Sequence, residues 1–136
     1  MLNKIEHIGI AVKDLEKSNA LFESLLGRPP YKSETVESEG VATSFFMSGP
    51  NKVELLQALH AESPIAKFIE KKGEGIHHIA FDVGDIFKEI ERLKLEGFRM
   101  IHEEPKKGAD NKLIAFLHPK STNGVLVELC QEIDSH

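Results

Sequence analysis

The stretch HIGIAVKDL, residues 7–15, is written a second time in the chain as HIAFDVGDI, residues 78–86. His, Ile, Val, Asp and a closing aliphatic residue recur in order, each displaced by 71 positions, as from His7 to His78. A second echo follows each copy: VELLQ from Val53 returns as VELCQ from Val127, displaced by 74. Self-similarity at a long fixed period marks a duplicated structural unit. The chain therefore reads as a single domain, 1–136, made of two halves at about 1–60 and 75–136. The difference between the two offsets fits a loop insertion in the second half.

Each half reads as strand, helix and three strands. Residues 4–12 and 76–83 alternate apolar with small or polar side chains, as half-buried strands do. Asp14 and Asp85 stand where helix N-caps belong. Behind them, Leu15, Phe22, Leu26 and Ile86, Ile90, Leu93 fall at helical spacing. Gly27 and Gly97 are placed to stop those helices. Further strands are expected near 31–37, 41–48, 52–59, 98–102, 112–118 and 125–131. Between the halves, Ser63 as N-cap, Pro64 at the first helical position and Gly73 as terminator predict a linking helix at about 63–72. The fold class expected is α+β.

Strand alternation decides which side chains share a face. With Ile8, Ile10 and Val12 on the apolar face of the first strand, His7, Gly9 and Ala11 stand opposite. Ile79, Phe81 and Val83 likewise leave His78, Ala80 and Asp82 on the other face. Glu54 and Glu128 point away from their apolar neighbours Val53, Leu55 and Val127, Leu129. Two imidazoles and two carboxylates are thus offered at matching places, a set that suits a borderline divalent ion with positions left open for water or substrate. The ligand set expected is His7, Glu54, His78 and Glu128. His77, on the apolar face beside Ile79, is read as structural. Gln57, three positions beyond Glu54, faces away and is a weaker candidate. His60, His102, His118 and His136 have no repeat partner and are read as surface or packing residues.

Composition narrows the classes. Hydrophobic residues make up 40% and charged ones 29%, as in a soluble globular protein; 17 Lys and Arg against 22 Asp and Glu leave a formal charge of −5. No basic stripe suits nucleic acid. No apolar run reaches the roughly 20 residues of a membrane span, and the opening MLNKIEHIGIAV lacks a signal-peptide pattern, so a cytoplasmic location is expected. The one cysteine, Cys130, is read as a small buried residue.

The duplicated halves and the His, Glu, His, Glu set resemble the vicinal-oxygen-chelate (glyoxalase/bleomycin resistance/dioxygenase) superfamily. Within it, HIGIAVKDLEKS, KVELLQ, SPIAKFIEKKGEGIHHIAFDV and EEPKKGADNKLIAFLHPKSTNGVLVEL are most similar to the methylmalonyl-CoA epimerases, over nearly the whole chain. The resemblance implies two tandem βαβββ modules forming a cupped, barrel-like mixed sheet around a metal site. It implies one divalent ion, cobalt by family expectation, with Zn, Ni or Mn possible, at the same four residues. It also implies a homodimer, and interconversion of 2R- and 2S-methylmalonyl-CoA by removal of the C2 proton and its return to the opposite face.

Glu128 is then the first candidate base. Some epimerases carry a glutamate in the strand after the first helix; matching through GVATSFF puts Thr43 there, a poor base at neutral pH and the candidate second proton carrier. Lys106, Lys107, Lys112 and Lys120 are candidates to meet the phosphates of coenzyme A. Glyoxalase I would share the four ligands but differ in the last two segments. A metal-free antibiotic-binding protein would have no need of them, and a ring-cleaving dioxygenase would use two histidines and one glutamate on a longer chain.

Overall fold

The computed structural model describes residues 1–133, so His136 lies outside the described residues. It has the expected α+β architecture, with strands β1 (Leu2–Ala11), β2 (Lys32–Val36), β3 (Val41–Ser48), β4 (Asn51–Ala58), β5 (Gly75–Val83), β6 (Lys106–Lys107), β7 (Lys112–Leu117) and β8 (Val127–Glu132). The helices are α1 (Leu15–Leu26), α2 (Pro64–Lys72) and α3 (Ile86–Leu95). Among the described residues no helix is long and apolar enough to cross a membrane. The described residues pack as two compact units, His7–His77 in one, Met1–Glu6 with residues 78–133 in the other.

In the unit His7–His77 the strands run in the order β2-β3-β4-β1. The first two pairings are antiparallel, and β4 with β1 is parallel, the chain between them running through α1, β2 and β3. One sheet face is covered by α1, where Leu15, Phe22 and Leu26 pack on Val12, Phe46 and Leu55. At the other face Ile65 and Phe68 of α2 pack on Ala11, Val41 and Leu56. The alternation in β1 and β4 sends consecutive residues to opposite covers, as Leu55 and Leu56 do. Fully burying one such side chain stabilises by about 1.5–3 kcal/mol.

The second unit repeats the plan: β5 pairs β8 in parallel, β8 pairs β7 and β7 pairs β6 antiparallel. Helix α3 lays Ile86, Ile90 and Leu93 on Val83, Ala115, Leu117 and Leu129. Ala80, Ile114 and Cys130 pack together on the opposite face. Cys130 is buried, as expected.

Both helix starts are built alike. Asp14 accepts a hydrogen bond from Lys17 N and Asp85 from Lys88 N, each at 3.1 Å, satisfying backbone donors that have no partner inside the helix. The first N–H of each helix is met from the sheet instead. Leu15 N donates to Gln57 Oε1 at 2.6 Å, and Ile86 N to Gln131 Oε1 at 2.7 Å. At the far end of α3, Gly97 takes a left-handed φ of 95° and its N–H returns to Lys94 O at 3.0 Å. On α3 itself Glu89 is buried, accepting from the Met1 ammonium at 2.5 Å and from Arg92 Nε at 2.7 Å. Burial would raise its carboxyl; those hydrogen bonds and positive charges outweigh burial and hold it below its ordinary value of 4.5.

One expected strand is corrected. Residues 98–102 do not form one: Met100 makes an isolated bridge to Leu117, and the strand beside β7 is the two-residue β6. Phe98 and Met100 turn instead to the apolar cluster under α3. Pro105, immediately before β6, has no N–H to extend a ladder.

Candidate active site

His7 sits on β1 and Glu54 on the adjacent β4, opposite Gly9 in the parallel register. Their ring and carboxylate meet with Nε2 3.2 Å from Oε1, both side chains 6% exposed. Across β3, Glu54 is paired with Phe45, whose ring stands edge-on to His7 at 6.0 Å and 87°. Thr43, two residues earlier on β3 and fully buried, sets its Oγ1 2.8 Å from Glu54 Oε2 and 2.9 Å from Leu55 O.

The second unit builds the same constellation. Glu128 on β8 lies opposite Ala80 of β5 and Phe116 of β7. His78 Nε2 is 2.9 Å from Glu128 Oε1, with both side chains again almost wholly buried. Phe116 stands edge-on to His78 at 5.8 Å and 88°. Each His therefore lies two residues ahead of the small residue that faces the Glu. Each Glu is backed by a phenylalanine that walls the imidazole.

Phe45 and Phe116 were missed in reading the sequence, although they lie 71 apart like His7 and His78. The repeat offset was the signal that would have found them. Both strands keep their ladder pairs, so the larger offset at Glu128 arises between Phe116 and Glu128. The β7–β8 connection runs through the 3-10 turn Pro119–Ser121, where β3 and β4 are joined by a tight turn at Gly49 and Pro50.

Carboxylates buried to this degree are costly unless they are paired or coordinate a cation. Imidazole nitrogen and carboxylate oxygen are also the donors that borderline divalent ions take. The two donors in each unit are of the kind that would contribute ligands to such an ion.

The remaining candidates are scattered. His77 lies edge-on to Phe68 at 5.0 Å and 85°, a packing contact on α2. His118 Nδ1 accepts from Lys120 N at 3.1 Å within its own turn, and His60 lies 3.4 Å from Glu62. Lys106 is half-buried on β6, while Lys107 and Lys120 are exposed. Lys112 departs from the solvated phosphate-binding side chain expected: it is buried, its Nζ 3.9 Å from Glu6 Oε2, itself buried.

With duplicated βαβββ units and a buried His–Glu pair in each, the chain belongs to the Glyoxalase/Bleomycin resistance protein/Dioxygenase superfamily, whose family model matches residues 6–116. Within it the chain is similar to methylmalonyl-CoA epimerases, as the residues had suggested. It is 43% identical over 133 residues to the ethylmalonyl-CoA/methylmalonyl-CoA epimerase of Cereibacter sphaeroides, covering 96% of this chain and 99% of that one. Identity to the human mitochondrial methylmalonyl-CoA epimerase is 42% over 131 residues, 96% of this chain and 74% of that protein. Among solved structures, a variant of the Streptomyces coelicolor methylmalonyl-CoA epimerase in complex with 2-nitronate-propionyl-CoA matches with a TM-score of 0.94 and 32% identity, over 98% of this chain and all of that one.

Proposed function

We propose that this chain is a metal-dependent epimerase that interconverts the 2R and 2S forms of methylmalonyl-CoA. The observation that carries the reading is the pair of matched, buried His–Glu constellations at the repeat offsets, in a chain similar along its length to epimerases of that name. His7, Glu54, His78 and Glu128 are the residues that would hold the divalent ion, each His paired with the Glu of its own unit. Such an ion, when bound, supplies a Lewis acid that offsets the negative charge growing on a thioester oxygen as the α-proton leaves.

The chain's own residues do the rest. Glu128 takes the proton from C2 onto a carboxylate oxygen, and a proton supplied by solvent is added to the opposite face of C2; one C–H bond breaks and one forms, and Glu128 releases its proton to solvent to close the cycle. His78, 2.9 Å away, keeps that carboxylate oriented. Phe45 and Phe116 wall the imidazoles and limit the rotation of the rings. The coenzyme A phosphates would meet Lys106, Lys107 and Lys120, local positive charge on an acidic chain, while Lys112 remains with Glu6.

The test is exchange at C2. Cobalt-loaded protein incubated with methylmalonyl-CoA in deuterated water should incorporate deuterium at C2 and scramble its configuration, and removal of the metal should stop both. Absence of exchange together with turnover of the hemithioacetal of glutathione and methylglyoxal would transfer the site to glyoxalase chemistry.

A further inference from the structure

The two carboxylates of the repeat are matched in register but not in what stands beside them. Two residues before Phe45 and Phe116, at the same offset, lie Thr43 and Ile114. Thr43 faces Leu56 across the β3–β4 ladder, and Ile114 faces Cys130 across the β7–β8 ladder. Here the halves part. Ile114 offers an aliphatic side chain, packed with Ala80 and Cys130. Thr43 offers a hydroxyl, wholly buried, whose two acceptors, Glu54 Oε2 at 2.8 Å and Leu55 O at 2.9 Å, both belong to β4.

A threonine hydroxyl has one hydrogen to donate, and here it is directed at the strand that bears Glu54. With Oε2 held, the carboxylate presents Oε1 to His7 Nε2 at 3.2 Å. A β-branched side chain inside a strand has few rotamers, so Thr43 holds its acceptor in a nearly fixed direction. A hydroxyl whose one hydrogen is given to acceptors on β4 has none left to pass to a substrate.

We propose that Thr43 is a positioning residue for Glu54: it sets which carboxylate oxygen faces the ligand site and so raises metal affinity, without handling the substrate proton. This rests on the metal-binding reading of the preceding subsection. Hydrogen-bonding partners that orient metal ligands typically change metal affinity by 10–100-fold when removed.

The experiment is cobalt titration of the substrate-free protein against a competing chelator, followed by the visible absorption of Co(II). Thr43→Val removes the hydroxyl and keeps the shape; Thr43→Ala removes it with no methyl left to misplace; Thr43→Ser retains it. Both hydroxyl-free variants should bind cobalt about 10–100-fold more weakly, with altered absorption bands, and Thr43→Ser should recover most of the affinity and the native spectrum. Their loss of C2 exchange should follow cobalt occupancy and be reversed by excess cobalt. Unchanged affinity in both hydroxyl-free variants overturns the proposal while leaving the metal site standing. A fully metallated Thr43→Val with the native spectrum but no exchange also overturns it, by making Thr43 a proton carrier. Wild-type protein that fails to bind cobalt overturns both readings together.

Discussion

Gln57 and Gln131 perform one task in two places: each lends its side-chain carbonyl to the first backbone N–H of the helix that follows the first strand of its unit, at 2.6 and 2.7 Å. Each lies three residues beyond a buried glutamate on the same strand, so the strand presents its carboxylate to one side and its amide to the other. The recurrence of VEL–Q is thereby accounted for twice over. Replacing either glutamine by alanine should lower stability by about 1 kcal/mol, the usual net value of one such hydrogen bond. Urea denaturation would measure it, and metal content should stay as in the unmodified chain.

His77 and His78 are neighbours with opposite assignments. His78 faces Glu128, whereas His77 packs against Phe68. His78→Ala should abolish bound cobalt and C2 exchange together, and His77→Ala should keep both at near-native levels with some loss of stability. Metal analysis of the two purified variants separates them, and the reverse ranking would defeat the assignment of ligands by strand face.

Acid should find a weak point at Glu89. Its carboxyl is held below 4.5 by the Met1 ammonium and Arg92 in spite of burial. A depressed folded value means that the unfolded chain binds its proton first as pH falls. The stabilisation is therefore present above pH 4.5 and drains away below it as the folded value is passed. In Glu89→Gln that part of the acid limb should be flatter. Denaturation midpoints of the two proteins across the acid range give the comparison, and identical slopes would remove Glu89 from the account.

Gly108 lies close against the side chain of Ile114. A β-carbon there would lie 2.6 Å from Ile114 Cδ1 and 3.0 Å from its Cγ1, so the Ile114 side chain would have to shift to admit one. Gly108→Ala should cost about 1–3 kcal/mol, the range for overpacking. Adding Ile114→Val, which removes the closest atom, should recover part of the loss. Thermal melts of the single and double variants test the coupling.

Much of this was legible in the residues because it is local or repeated. Asp14 and Asp85 cap helices within a turn of themselves, and the alternation around His7 and His78 needs only the two-residue period of a strand. What could not be read depends on partners remote in the chain. Glu6 and Lys112 are far apart in sequence, so nothing near Lys112 announces that it is buried. Strand alternation turns Gln57 away from the ligands, but its bond to Leu15 N depends on β4 ending beside the start of α1. The absent strand at 98–102 was misread because its apolar residues are equally at home under α3, and a β pattern alone does not say which use wins. The matched position of Thr43 suggests proton transfer, while its hydroxyl direction is set by the β3–β4 register.

The longer β7–β8 connection has a practical meaning. A ladder is counted inward from its paired residues, and the extra length is taken up entirely in the loop that closes the hairpin, where Asn123 and Gly124 both adopt left-handed backbone and are exposed. Chain added there hangs from the outer end of two strands whose partners are already chosen. That turn is where this molecule could carry a foreign segment, an affinity peptide or a fluorescent label, with Glu128 still held opposite Phe116.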